Sequence, residues 1–138
     1  MLTMPMRGLM GMIGAALLPL VSQAAPAPAL HLQCELQASN ELHTLTFHPT
    51  SDPYRAAATP IGRSFRFKAV LEAQGEQATS VRLYAYAYSP RQYVLLHLAT
   101  YDHPTPSRTS LTGQQRVYSP RTGSELLYHC TLLKDEAP

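Results

Sequence analysis

Apolar and polar residues alternate with a period of two along much of this chain, and the pattern predicts β-strands. In "LHLQCELQ", residues 30–37, every second residue is apolar, and "ELLYHCTLL", residues 125–133, repeats the arrangement. Successive side chains of a strand point to opposite faces, so such alternation is typical of a half-buried strand. Further strands, about seven in all, are predicted at 41–48, 64–73, 80–89, 92–101 and, more weakly, 114–119.

Turn signals separate these strands and decide the predicted fold class. The chain has 12 prolines and 7 glycines, and the segments 51–62 and 103–113 are predicted as loops. No segment after residue 25 shows a convincing apolar period of 3.6, so helix is limited to a turn or two. The prediction is an all-β domain, a single antiparallel β-sandwich that is either Ig-like or a partly closed barrel.

The first 24 residues have the pattern of a cleaved signal peptide. Arg7 precedes the apolar run 9–21, and "SQA" then offers a small-residue cleavage site after Ala24. The run is shorter than the ~18 apolar residues that a membrane span needs, so no stable membrane anchor is expected. We therefore predict a periplasmic or secreted protein whose residues 25–138 form one domain.

The two cysteines, Cys34 and Cys130, lie near the two ends of that domain. Each falls on the apolar side of a predicted strand, where the two side chains can meet in a core. In an oxidising compartment such a pair usually bonds, so we predict a structural disulfide that joins the first and last strands.

Several short motifs resemble a group of short exported β-proteins of Gram-negative bacteria that has no established activity. The resemblance lies in "SDPY" at 51–54, "FRFKAV" at 65–70, "LTG" at 111–113 and "YSPRTGSELLYHC" at 118–130. It implies an exported β-domain of the cell envelope and assigns no catalytic residue.

The net charge and the sequence motifs restrict the classes of function that the sequence predicts. The formal net charge of +2 gives no argument for nucleic acid. No nucleophile–base motif is present, so we expect no catalysis and no cofactor. The alternative is a periplasmic protein that handles copper or zinc through surface histidines, His31 and His129, on the polar faces of the terminal strands.

A row of tyrosines is the main candidate for a contact surface. In "RLYAYAYSPRQY", residues 82–93, three tyrosines alternate with alanines and would share one strand face. The sequence leaves open whether the row faces solvent or core. An outward row would form an amphipathic strip that suits a protein or glycan partner in the cell envelope. The candidate binding residues are Arg82, Tyr84, Tyr86, Tyr88, Arg91, Tyr118 and Arg121.

The last four of these residues come from a small repeat. "YSPR" occurs at 88–91 and again at 118–121, and Ser-Pro is typical of the start of a type I turn. One interpretation is two similar strand exits. The other places Arg91 and Arg121 together as an anion clamp, which requires both turns to lie at the same end of the sandwich.

Overall fold

The computed structural model describes residues 14, 16–22 and 29–135, and these contain eight β-strands and one short 3-10 segment. The segment is Pro53–Arg55. The strands are β1 Leu30–Ala38, β2 Glu41–Phe47, β3 Thr59–Ile61, β4 Phe65–Gln74, β5 Gln77–Ser89, β6 Gln92–Asp102, β7 Gln115–Tyr118 and β8 Glu125–Lys134.

The strands form two antiparallel sheets of four. The cysteine sheet has the order β2-β1-β8-β7, and the tyrosine sheet has the order β3-β4-β5-β6. The predicted β-sandwich is confirmed. The alternative of a partly closed barrel is wrong for the described residues, because they form two separate sheets.

The predicted count of about seven strands omitted β3. This strand lies inside the segment 51–62, which was predicted as a loop, and Thr59–Ile61 pairs with the start of β4. Three residues are too few to show a period of two, and Pro60 argues against a strand. Proline is tolerated here because β3 is an edge strand of its sheet.

The predicted disulfide is confirmed, and it joins directly opposed residues of β1 and β8. Cys34 and Cys130 are register partners, fully buried, with Cα atoms 4.1 Å apart. The N–H of Cys130 donates to Oγ1 of Thr112 (3.0 Å), and its carbonyl accepts from the N–H of Leu111 (2.8 Å). Both groups therefore point away from β1. Cys34 and Cys130 thus form a non-hydrogen-bonded pair, the position where antiparallel backbones approach most closely.

Inward side chains of both sheets fill the space between them. The Phe67 ring of β4 lies 5.1 Å from the Tyr128 ring of β8 and 6.2 Å from the Phe47 ring of β2. Phe67 and Tyr128 have no exposed surface. Aromatic contact therefore joins the tyrosine sheet to the cysteine sheet through the centre of the sandwich.

The buried Tyr128 hydroxyl makes the free energy of unfolding depend on pH in the alkaline range. Its oxygen lies 3.2 Å from Nδ1 of His97, and burial, with a smaller contribution from Tyr101, raises the pKa of Tyr128 to about 12 from 10.0. Above pH 10 the unfolded chain releases this proton while the folded chain retains it. The free energy of unfolding should therefore fall as pH rises from 10 to 12, by up to ~2.7 kcal/mol from this group.

Denaturant unfolding of the wild type and of Tyr128→Phe, between pH 9 and pH 11.5, measures this loss. The variant leaves a His97 nitrogen without its partner, which lowers stability by about 1 kcal/mol at every pH. The slope against pH is therefore the informative quantity. Equal slopes above pH 10 would contradict the assignment to Tyr128.

The predicted signal peptide and its cleavage site lie largely outside the described residues. Residues 14 and 16–22 of that segment are exposed and have no regular secondary structure. In the described part of the chain, no helix has the length and apolar character needed to cross a membrane.

Candidate functional site

The tyrosine row faces away from the core. Leu83, Ala85 and Ala87 of β5 are buried between the sheets, so the alternating tyrosines point outward. Tyr84 and Tyr86 are half-buried against their neighbours, and Tyr88 is 44% exposed. The sequence left open which way the tyrosine row faces, and the structure shows that it faces solvent.

The next strand widens the row into a surface. Tyr93 of β6 lies opposite Tyr88, Leu95 lies opposite Tyr86, and Leu98 lies opposite Tyr84. Directly opposed residues of an antiparallel pair share a face. Leu95 and Leu98 are 45% and 49% exposed, so this part of the sheet presents apolar side chains to solvent.

A bulge in β6 places both leucines on the outer face. The register between β5 and β6 shifts after Ala85, so that Leu96 has no partner on β5. Beyond a bulge the alternation of faces is displaced by one residue. Leu95 and Leu98 therefore point the same way although they are three residues apart, and a strict period of two in the sequence would not have found them.

The strand on the other side of the row contributes cations. Arg66 and Lys68 of β4 lie opposite Tyr86 and Tyr84. The Lys68 Nζ atom is 4.3 Å from the centre of the Tyr84 ring, and the Arg66 guanidinium carbon is 4.0 Å from the centre of the Tyr93 ring. These cation–π contacts keep the side chains on the outer face. We call this surface the tyrosine face; it consists of Arg66, Lys68, Tyr84, Tyr86, Tyr88, Tyr93, Leu95 and Leu98.

Aromatic contacts give the tyrosine face a defined geometry. The rings of Tyr84 and Tyr86 are nearly parallel, with centroids 6.4 Å apart and an interplanar angle of 8°. The rings of Tyr88 and Tyr93 meet edge to face at 5.5 Å. Rings held by neighbours lose less conformational freedom when a partner binds.

Arg82 was predicted as a contact residue, but its guanidinium forms an ion pair within the domain. Its Nη2 atom lies 2.8 Å from Oε2 of Glu72, which also accepts a hydrogen bond from Ser80 Oγ at 2.9 Å. The Ser80 bond and then the Arg82 bond hold the pKa of Glu72 below its usual value, and the same ion pair raises the pKa of Arg82. Arg82 therefore neutralises Glu72 at the border of the tyrosine face.

The two YSPR turns lie at the same end of the sandwich. The carbonyl of Ser64 accepts from the N–H of Tyr88 (2.8 Å), and the Ser64 hydroxyl is 3.4 Å from that of Ser124, beside the second turn. We call this end the turn end. It carries three exposed arginines, Arg63, Arg91 and Arg121, which we call the arginine rim.

Tyr118 does not join the tyrosine face. It is 57% exposed, but its neighbour Val117 is buried in the core, so Tyr118 points outward from the cysteine sheet. The outer faces of the two sheets are on opposite sides of the sandwich. Of the predicted binding residues, therefore, the structure brings together Tyr84, Tyr86 and Tyr88, with Arg91 and Arg121 at the adjoining end.

The terminal strands β1 and β8 pair with each other, but the pairing does not bring His31 and His129 together. His31 lies opposite Leu133, and His129 lies opposite Glu35, four residues farther along the ladder. His129 contacts Glu35 at 3.1 Å, and His31 contacts Asp135 at 3.6 Å. Among the described residues, no group of three His, Cys, Asp or Glu side chains is placed to hold a metal ion.

A cleft of about 830 Å³ opens at the end opposite the turn end. Its lining includes His31, His103, Arg108 and Lys134, and Lys134 is paired with Glu76 at 3.0 Å. Asp102 precedes His103 in the chain, but within the described residues neither side chain forms a hydrogen bond with a serine, threonine or cysteine side chain. The cleft therefore holds mixed charges without an oriented catalytic set.

Comparisons with protein-family models, with curated proteins and with solved structures find no match to this chain.

Proposed function

We propose that this protein is an exported, non-catalytic binding module whose contact surface is the tyrosine face. The observation that carries the proposal is the outward row of four tyrosines and two leucines on neighbouring strands. Tyrosine is favoured at contact surfaces because it combines a large apolar ring, few rotatable bonds and a polar tip. The partner is a protein or glycan of the cell envelope.

Export is supported by two independent features. The pattern of residues 1–24 is that of a signal peptide, and the buried disulfide suits a domain that folds in an oxidising compartment. The periplasm and the extracellular space both meet this condition. The resemblance to short exported β-proteins of Gram-negative bacteria agrees with the same compartment.

The test replaces the row and leaves the core intact. The triple variant Tyr84→Ser, Tyr86→Ser, Tyr88→Ser should lose retention of cell-envelope components by the immobilised protein. Exposed cross-strand pairs contribute about 0.2–1 kcal/mol each, so the variant should stay folded, with a modestly lowered Tm. Circular dichroism and thermal unfolding check the fold, and mass spectrometry with sugar analysis compares the retained material.

A matched control carries three substitutions on the outer face of the other sheet, Leu42→Ser, Thr44→Ser and Thr46→Ser. Leu42 is 79% exposed, so these changes also remove exposed apolar surface from one strand. The control should retain the same components as the wild type. Unchanged retention by the tyrosine variant, or equal loss in both variants, would refute the tyrosine face as the contact surface.

A further inference from the structure

Cations without a carboxylate partner are concentrated on one continuous part of the surface. Among residues 29–135, ion pairs with Asp or Glu occupy Arg55, Arg82, Arg116 and Lys134. The remaining cations are Arg63, Arg66, Lys68, Arg91, Arg108 and Arg121. All of these except Arg108 lie on the tyrosine face or the arginine rim. This surface therefore attracts an anion more strongly than the modest net charge suggests.

Three acidic residues around this surface have a partner within the domain, whereas Asp102, exposed at the end of β6 opposite Ser80, makes no ion pair with the described residues. Glu41 contacts His43 at 3.3 Å, Glu125 contacts Arg116 at 3.7 Å, and Glu72 is paired with Arg82. An incoming anion thus meets cations without a carboxylate partner, while Arg82 and Arg116 offset the charges of Glu72 and Glu125.

The tyrosine face repeats one unit of recognition along the sheet. Tyr84 lies opposite Lys68, and Tyr86, two residues farther along β5, lies opposite Arg66. Two residues of a strand span about 6.7 Å. Each step therefore offers one aromatic ring and one cation, and beyond Tyr88 the arginine rim continues the positive charge.

The tyrosine face is also an open surface. Five clefts and pockets on the described residues are lined elsewhere and include none of its four tyrosines. Small molecules favour concave sites that enclose most of their surface. An open strip with a repeating unit fits an extended polymer whose own units repeat.

We propose that the ligand is an acidic polysaccharide, with sugar rings on the tyrosines and carboxylates paired to Arg66, Lys68 and the arginine rim. This inference rests on the binding role proposed above and names its ligand class. An aromatic ring packs against the apolar face of a sugar, while tyrosine hydroxyls bond sugar hydroxyls. A protein partner would not need evenly spaced anions, and a single-stranded nucleic acid is less suited to an exported domain.

The experiment measures binding of defined oligosaccharides by calorimetry in 50 mM salt. The probes are oligomers of galacturonate, alginate and hyaluronate, with methyl-esterified galacturonate as the neutral match on the same backbone. At least one acidic probe should bind at least tenfold more tightly than the ester binds, and 500 mM salt should weaken that binding. Lack of binding by all three acidic probes, or equal affinity for galacturonate and its ester, would overturn the inference.

Variants test whether Arg66 and Lys68 supply the positive charge that binds the acidic probes. Arg66→Gln with Lys68→Gln keeps the tyrosines and should weaken acidic-probe binding at least tenfold. The control Arg108→Gln removes an exposed cation without a carboxylate partner at the opposite end, and it should bind like the wild type. If the double variant and Arg108→Gln lose the same affinity for the acidic probe, binding depends only on the overall charge, and the assignment to Arg66 and Lys68 is overturned.

Two further results separate this inference from the proposed function. A single-stranded oligonucleotide of matched charge that binds as tightly as the acidic sugars would indicate a general polyanion surface and overturn the glycan class. If cell-envelope retention requires the tyrosines but no acidic sugar binds, the binding module stands and its ligand class is wrong. If the triple tyrosine variant retains the same cell-envelope components as the wild type, the proposed function itself is wrong.

Discussion

Removing the disulfide should lower the free energy of unfolding by about 4–5 kcal/mol. Cys34 and Cys130 are separated by 96 residues, so their bond restricts nearly the whole domain in the unfolded state. A domain of this size has a total stability of about 5–15 kcal/mol, so the loss is a large fraction of it. Urea unfolding of the oxidised protein, of the reduced protein and of Cys34→Ala with Cys130→Ala measures the effect.

The double variant also supplies the control for the reductant. Adding reductant should change the unfolding of the wild type and leave that of the variant unchanged. The bond lies in the fully buried core, so reduction must be verified by mass before each measurement. A fully reduced wild type that unfolds at the same urea concentration as the oxidised protein would refute the stabilising role of the bond.

Phe67→Ala should destabilise the domain by about 3–5 kcal/mol, the usual cost of deleting a buried phenylalanine ring. The side chain is fully buried and contacts Phe47 and Tyr128 of the opposite sheet. Its loss removes apolar burial and leaves a cavity between the sheets, where few neighbours can move to fill the space. Thermal and urea unfolding at neutral pH measure the effect.

The exposed aromatic residue Tyr54 provides the comparison for this substitution. It is 96% exposed in the 3-10 segment, so Tyr54→Ala should change stability by no more than about 0.5 kcal/mol. A loss below 1 kcal/mol for Phe67→Ala, or equal losses for the two variants, would contradict the central position of Phe67 in the core.

Local patterns were sufficient for most of the fold because strand faces follow directly from alternation. The terminal strands, the cysteines on their apolar faces and the strands β5 and β6 could all be predicted from the order of residues. The three residues of β3 could not, because a strand that short contains no period. Its existence depends on the neighbouring β4, which supplies its hydrogen-bonding partner.

Prediction of the candidate site was less complete, for reasons of geometry. Tyr84, Tyr86 and Tyr88 were found because they alternate along one strand. Arg66 and Lys68 precede their partners Tyr86 and Tyr84 by 20 and 16 residues, and only the register of β4 against β5 places them beside the row. Tyr118 was included on the basis of a repeat, but its strand belongs to the other sheet.

The sequence by itself determined an all-β domain with two opposed cysteines and an alternating tyrosine strand, since these properties depend on residues close together in the chain. Tertiary structure decided which way the tyrosines face and that the two YSPR turns share one end. It also decided that His31 and His129 remain apart. Each of these depends on strand register and sheet order, which are set by packing between residues distant in sequence.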